Sequence, residues 1–232
     1  MTYGKSYQAK AKLVNPEKLH TPAEAIALLP ETKRAKFDET VDMAVKLGVD
    51  TVKNPSIRGS VALPAGSGKA KKVAVICRAD RVKDALAAGA VEAGADDLVE
   101  KIQKGFLGFD VLIASPDMMG MVGKLGKVLG PKGLMPNPKI GTVTDDIKTA
   151  VSEFKGGKVE FKMDKSGVVA LGIGKISFTA DALQQNFRAV IAALLHAKPS
   201  GVKGVYLRSV SLSTTMGPGL KVNPRVAQDE VS

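Results

Sequence analysis

Apolar and polar positions alternate through Val41, Met43, Val45, Leu47 and Val49, with Asp42, Ala44, Lys46 and Gly48 between them. A strict period of two predicts a strand buried on one face and open on the other. Before it, Thr21-Pro22-Ala23-Glu24 is a capping box with proline at the first helical position, which predicts a helix to about Leu29. After it, a turn-rich stretch at Lys53-Asn54-Pro55-Ser56 leads to a second strand, Ile57 to Leu63. The alternating pattern returns near the end of the chain. Val159, Phe161 and Met163 face one way, Asp164-Lys165-Ser166-Gly167 supplies a turn, and Val168 onward is expected to pair back as a hairpin. Thr179 or Asp181 opens a long helix to His196, stopped by Lys198-Pro199-Ser200-Gly201, and a last strand runs from Val205 past Ser211.

Between these segments the pattern changes. Val73-Ala74-Val75-Ile76-Cys77 is continuously apolar, as a strand buried on both faces must be. A helix is expected from Asp80 to Ala88, then a Gly/Ala-rich stretch and another helix near Asp97–Gln103. A buried strand follows at Val111–Ala114, a helix starts near Asp117, and Asp145 is placed to cap a helix reaching Phe154. Strands alternating with helices predict a parallel α/β unit with right-handed crossovers. Pro64-Ala65-Gly66-Ser67-Gly68 reads as a hinge ahead of it, and residues 1–12 read as a mobile basic arm. The expected architecture therefore combines α/β and α+β. A discontinuous α+β domain, 1–67 with 159–232, has an antiparallel sheet with helices and carries a three-layer α/β domain inserted at 68–158.

Composition turns attention to an anionic partner. The apolar fraction of 44% supports a core, and the net charge of +11 favours nucleic acid first and an anionic membrane second. No apolar run approaches the roughly 18 residues of a spanning helix, and the basic N-terminus has no apolar signal region. A single cysteine, Cys77, excludes an internal disulfide and fits a reducing cytoplasm.

Catalytic chemistry is thin. Gly66-Ser67-Gly68-Lys69 is not a P-loop, because Leu63 stands where the first glycine belongs and Ala70 where a hydroxyl belongs. His20 precedes a helix cap, His196 ends a helix where it complements the dipole, and Cys77 closes a buried strand as a small core residue. One Cys and two distant His make no zinc site, and no cofactor motif is present. Lys104-Gly105-Phe106-Leu107-Gly108-Phe109 half-matches an RNA-binding sheet motif and fails at its required aromatics. With 4% aromatic residues, base stacking is a minor source of affinity.

Three segments have the chemistry to meet RNA. Lys36-Phe37-Asp38-Glu39-Thr40 brings a cation, an aromatic and a hydroxyl to the mouth of a strand, although an ordinary strand start has the same residue types. Ser211 to Gly219, SLSTTMGPG, offers hydroxyls that donate and accept, with glycines that leave room for close backbone approach; a polar strand ending in a turn is the alternative. The third, GKLGKVLGPKGLMPNPKIGTVT from Gly123 to Thr144, holds four lysines, five glycines, three prolines and no acid. Its prolines forbid a continuous helix, while the interleaved Leu125, Leu129, Leu134, Met135 and Ile140 argue against simple solvation.

Taken in order, KFDETVDMAVKLGVD, IRGSVALP, VGKLGKVLGPKGLMPNPKIGTVT, KGGKVEFKMDKSGVV, IGKISF and STTMGPGLKV resemble the family of large-subunit ribosomal protein one, in its bacterial form. The resemblance implies a Rossmann-like inserted domain and a flexible connection to a first domain that carries the main RNA surface. It implies a non-enzymatic, cytoplasmic, ribosome-bound protein, monomeric when free. Its partners would be 23S rRNA at the lateral stalk of the large ribosomal subunit, E-site tRNA, and the mRNA of its own operon, which it would repress. Carried onto this chain, the RNA surface falls on Lys36, Phe37, Thr40, Asp164, Ser211, Thr215, Met216 and Gly217. Lys124, Lys127, Lys132 and Lys139 are a secondary RNA or tRNA contact. Ala65, Ala170 and Gly172, and the loop Thr51–Ile57, depart from the family pattern. A nucleotide-dependent enzyme on the α/β domain and a free RNA chaperone are the alternative readings.

Overall fold

The computed structural model describes residues 4–51, 57–199, 202 and 204–231. In chain order the first elements are α1 (Lys5–Ala11), α2 (Pro22–Thr32), β1 (Thr40–Leu47), β2 (Arg58–Ala62), β3 (Val73–Ile76), α3 (Ala79–Ala87), β4 (Glu92–Gly94), α4 (Asp96–Gln103) and β5 (Val111–Ala114). There follow α5 (Met119–Lys124), α6 (Gly126–Leu129), α7 (Ile147–Gly156), β6 (Lys158–Lys162), β7 (Val168–Lys175), α8 (Ala180–His196), β8 (Leu207–Thr214), β9 (Leu220–Val222) and α9 (Pro224–Asp229), with 3-10 turns at Pro116–Met118 and Pro138–Ile140. The chain divides into two compact units, Met1–Gly68 with Val159–Ser232, and Lys69–Lys158.

The first unit is built on a four-stranded antiparallel sheet of order β7-β1-β8-β9. The alternation along β1 sets its two faces. Val41, Met43, Val45 and Leu47 are buried beneath α2 and α8, while Thr40, Asp42 and Ala44 lie half-buried on the other face. The capping box at the start of α2 is closed in both directions. Glu24 N donates to Thr21 Oγ1 at 3.2 Å, and Thr21 N donates to Glu24 Oε2 at 3.4 Å. The helix continues through Pro30 to Thr32, past its expected end, because burying Leu29 and Thr32 compensates for one missing N–H.

Three expectations for this unit are corrected. Residues Lys5–Ala11 form a helix rather than a free arm; it buries nothing, and Lys10 Nζ donates to Glu31 O at 2.7 Å. The expected hairpin closes only as a turn. β6 joins β2 in a separate two-stranded sheet, and a single bridge, Met163 to Val169, ties it to the β7 side. The Phe161 ring occupies the space above Gly59, where an added Cβ would lie 2.7 Å from it, so β6 is held against β2. The last long strand starts at Leu207, with Val205 exposed, and the chain goes on to β9 and α9. Asn223, whose side chain accepts from Arg225 N, and Pro224 after it are the local signal for α9. The expected turn at Lys53–Ser56 and the Ser200-Gly201 part of the helix stop lie outside the described residues.

The second unit is a three-layer α/β sandwich on a parallel sheet of order β4-β3-β5. Every residue of β3 is buried, as its unbroken apolar run requires. Ala74 and Ile76 face one cluster with Leu98, Ile102, Val122 and Leu129. Val73 and Val75 face the other, with Ala85, Ile147, Val151 and Phe154. β4 occupies the Gly/Ala-rich stretch that showed no strand pattern, since three half-buried residues carry no period to read. The cap of α7 is Asp146, one residue beyond the expected Asp145. Asp146 Oδ1 accepts from Thr149 N at 3.2 Å, while Asp145 O accepts from the Arg81 guanidinium at 2.9 Å.

Candidate nucleic-acid interface

Glu39 organises one end of the four-stranded sheet. It is fully buried, and one carboxylate oxygen accepts the amides of Arg34, at 2.8 Å, and Ala35. The other accepts the amide of Met216 at 3.1 Å. Burial pushes the carboxyl upward, but the Thr214 hydroxyl and the amides of Ala35, Arg34 and Met216 outweigh it and bring the pKa down to about 2. The ionised group thus clamps the loop before β1 to the turn after β8.

Thr40 and Thr215 complete the clamp. Thr40 N donates to Thr215 Oγ1 at 3.0 Å, and Thr215 N donates to Thr40 O at 3.1 Å. The Thr215 hydroxyl is also placed to donate to Thr40 O at 3.3 Å. From the neighbouring strand, Lys175 Nζ donates to Thr40 Oγ1 at 3.0 Å and to Asp38 O at 3.2 Å. Asp38 in turn accepts from the Ser177 amide and hydroxyl, at 3.2 and 2.8 Å. With the backbone held this way, Lys36 and Phe37 are displayed outward, and Phe37 is 56% exposed. Met216, on the facing turn, is 42% exposed. Two large apolar side chains in solvent on a hydrogen-bonded frame are available to a partner.

Gly217 fits where little else can. A Cβ there would sit 2.4 Å from Thr214 Oγ1 and 3.0 Å from Thr32 O. The turn therefore packs directly on the end of α2.

Lys36, Phe37, Thr40, Thr215, Met216 and Gly217 meet at this one end. Ser211 lies opposite Ala44, four residues along β1 from Thr40 and thus about 13 Å away, half-buried with its hydroxyl directed at Ala44 O at 3.3 Å. Asp164 lies beyond the opposite end of β1, where Lys46 pairs with Val168, about 20 Å from Thr40. Asp164 Oδ1 accepts the amides of Ser166 and Val168, both at 2.8 Å, so the carboxylate shapes its own turn.

Glu39, Asp38 and Lys175 are the members of the frame that sequence reasoning passed over. Glu39 and Asp38 stand inside the KFDET segment, but nothing local distinguishes a buried carboxylate from a solvated one. Lys175 stands in the IGKISF segment, across the sheet from Thr40.

The lysine-glycine loop belongs to the second unit. Leu125, Leu129 and Ile140 are buried in its clusters, which anchors the backbone, while Lys124, Lys127, Lys132 and Lys139 are exposed. Asn137 N donates to Thr142 Oγ1 at 2.7 Å and the Thr142 hydroxyl donates to Asn137 O at 3.1 Å, closing the loop on itself. Gly141, at φ +78°, turns the chain in a conformation that L side chains rarely adopt.

Among the described residues no group of His, Cys, Asp and Glu could hold a metal ion, and no helix is long and apolar enough to cross a membrane. Cys77 is buried, and burial pushes its thiol upward, away from the reactive thiolate. A two-unit α/β architecture with a strongly basic balance and an exposed, hydroxyl-framed display suits a protein that binds an anionic partner. The sequence profile of the Ribosomal protein L1p/L10e family matches residues 29–218, and the chain belongs to that family. Its members are structural ribosomal proteins that bind rRNA. The matched span includes the Lys36–Thr40 segment, the lysine-glycine loop and the turn at Thr215–Gly217.

Proposed function

We propose that this protein binds 23S rRNA at the lateral stalk of the large ribosomal subunit, with the Thr40–Thr215 end of the first unit as the main contact. The reading rests on one observation: Glu39 ties the Lys36–Thr40 and Thr215–Gly217 segments together, so that Phe37 and Met216 are exposed on a fixed frame. Such a frame suits RNA read by shape and ribose hydroxyls, since the Thr40 hydroxyl, which accepts from Lys175, keeps its proton to donate, and the Thr215 oxygen keeps a lone pair to accept. Ser211 extends the surface along the sheet, and Asp164, at the far end, meets a second stretch of backbone through 2′-hydroxyls. Lys124, Lys127, Lys132 and Lys139 supply a separate phosphate contact, to stalk RNA or to a passing tRNA. In this reading the protein takes part in release of E-site tRNA and represses its own operon by binding the mRNA in place of rRNA. It is monomeric when free and non-enzymatic.

The test is binding to a stalk rRNA fragment at several salt concentrations, with Met216→Asp as the variant. Met216 is exposed, so the fold is retained, and affinity is expected to fall by about tenfold or more. Unchanged affinity sinks the assignment of this end of the sheet. Sedimentation of the chain away from large subunits sinks the ribosomal role as a whole.

A further inference from the structure

The sheet of the second unit reverses its winding between β3 and β5. β3 leads into α3, whose Ala85 packs in the cluster of Val73 and Val75, whereas β5 leads into α5, whose Val122 packs in the cluster of Ala74 and Ile76. Where neighbouring strands send their helices to opposite faces, a crevice opens at their carboxyl ends, and ligands of open α/β sheets bind there. Here the crevice has a volume of about 160 Å³ and is lined by Arg78, Asp80, Arg81, Ser115 and Asp117.

Its floor holds an unsatisfied group. Ser115 is 3% exposed, and its hydroxyl has no hydrogen-bond partner, although its amide is fixed to Ile76 O at 3.0 Å. A buried hydroxyl left unpaired costs stability, and one on a residue that lines a crevice can be paired by a ligand that enters it. The start of α3 is the second part. Its cap residue is Arg78, whose side chain makes no capping bond; Arg78 O takes the Arg81 amide at 3.0 Å, so the amides of Ala79 and Asp80 and the helix dipole supply the positive potential at the crevice.

The charges on the rim narrow the ligand class. Arg78 pairs with Asp117 at 2.8 Å, and Arg81 pairs with the Asp145 carboxylate at 3.4 Å. Each guanidinium has five N–H donors, so one ion pair leaves donors for another acceptor. Yet Asp80 and Asp117 repel a bare anion. A ligand that satisfies the whole set needs an anionic phosphoryl for the arginines, Ser115 and the helix amides, and hydroxyls that donate to the carboxylates.

We propose that this crevice is a ribose-phosphate site, in which Ser115, Arg81, Arg78 and the amides at the start of α3 hold one phosphoryl while Asp80 and Asp117 accept ribose hydroxyls. The ligand is either a free ribonucleotide or a nucleotide of an RNA strand. The site belongs to the second unit and the rRNA contact is proposed for the first, so failure of this site leaves that contact untouched.

Amide chemical shifts of the full chain test it at low salt, titrated with adenosine 5′-monophosphate, adenosine, inorganic phosphate and a short RNA oligonucleotide. Only the amides of Ala79, Asp80 and Ser115 are read. The nucleotide is expected to shift them, with adenosine and inorganic phosphate binding about tenfold more weakly. Arg81→Gln and Ser115→Ala should each weaken the nucleotide about tenfold; Arg81 is exposed, so its variant keeps the fold if the Ser115 variant does not. Shifts with the oligonucleotide alone assign the site to an RNA strand, and shifts with the mononucleotide alone assign it to a free nucleotide; either outcome supports the site. No shift with either ligand overturns the proposal. So does inorganic phosphate binding as tightly as the nucleotide, because the carboxylates then read no ribose.

Discussion

The buried carboxylate of Glu39 accepts the amide of Met216 at 3.1 Å, across 177 residues of sequence. Through this bond an exposed methionine is held by a residue that never meets solvent. The charge of Glu39 therefore lies behind the surface it supports, and the groups offered outward at Phe37 and Met216 are apolar.

Removing that charge is expected to loosen both segments at once. Glu39→Gln keeps the size of the side chain but turns one of its two acceptor oxygens into an NH2 donor, which then faces either the Met216 amide or the amides of Arg34 and Ala35. A loss of about 1–3 kcal/mol in unfolding free energy is expected from denaturant titration. Affinity for a stalk rRNA fragment should fall with it. A variant as stable as the parent would show that the carboxylate is not what holds the frame.

Acid should act on the same group. The carboxyl has a folded-state pKa of about 2 against an ordinary 4.5, so the folded protein holds its proton less tightly than the unfolded chain. The unfolded state binds more protons over this range, and stability rises with pH. The contribution is complete above about pH 5 and is lost as pH falls through 4.5 toward 2. Melting temperatures measured at pH 6, 4 and 3 should therefore converge for the parent and Glu39→Gln as the solution becomes more acid.

Thr215→Val separates the hydroxyl from the shape. It leaves Thr40 N without its acceptor at 3.0 Å and removes the donor to Thr40 O at 3.3 Å. A cost of about 1–3 kcal/mol in rRNA-fragment binding is expected, measured by titration calorimetry, with a smaller loss in unfolding free energy from denaturant titration. Equal losses in both would mean that the hydroxyl serves the fold alone.

Gly217→Ala is a steric test. The new methyl would lie 2.4 Å from Thr214 Oγ1 and 3.0 Å from Thr32 O, so the turn must shift away from α2. Overpacking of this kind costs about 1–3 kcal/mol, read as a lower midpoint with an unchanged slope in urea. If the midpoint does not move, the turn is more compliant than its packing implies.

Lys127 and Lys132 should behave differently from all of these. Both are exposed on the lysine-glycine loop, so Lys127→Ala and Lys132→Ala are expected to leave stability unchanged. Each should reduce the salt dependence of RNA binding by less than about one unit of slope. Should either abolish binding while Met216→Asp is tolerated, the principal surface lies on the second unit.

Local periodicity and capping carried much of this fold. The alternation of Val41 to Leu47, the capping box of Thr21 and Glu24, and the apolar run of Val73 to Ile76 each determine an element within a few residues of chain, because period and cap chemistry are local properties. The anchored character of the lysine-glycine loop was legible in the same way, from Leu125, Leu129 and Ile140. What tertiary structure decided was partnership. Period two says which face of a strand is buried, not which strand lies beside it, so β6 could be placed against β2 only once Phe161 met Gly59. A carboxylate reads the same in sequence whether solvated or buried, and only folding set Glu39 beneath Met216, Thr215 beside Thr40, and Asp164 at the far end of the sheet. The residue types of the interface belong to the sequence. Their assembly depends on contacts across nearly two hundred residues, where hydrogen bonding and close packing choose the partner.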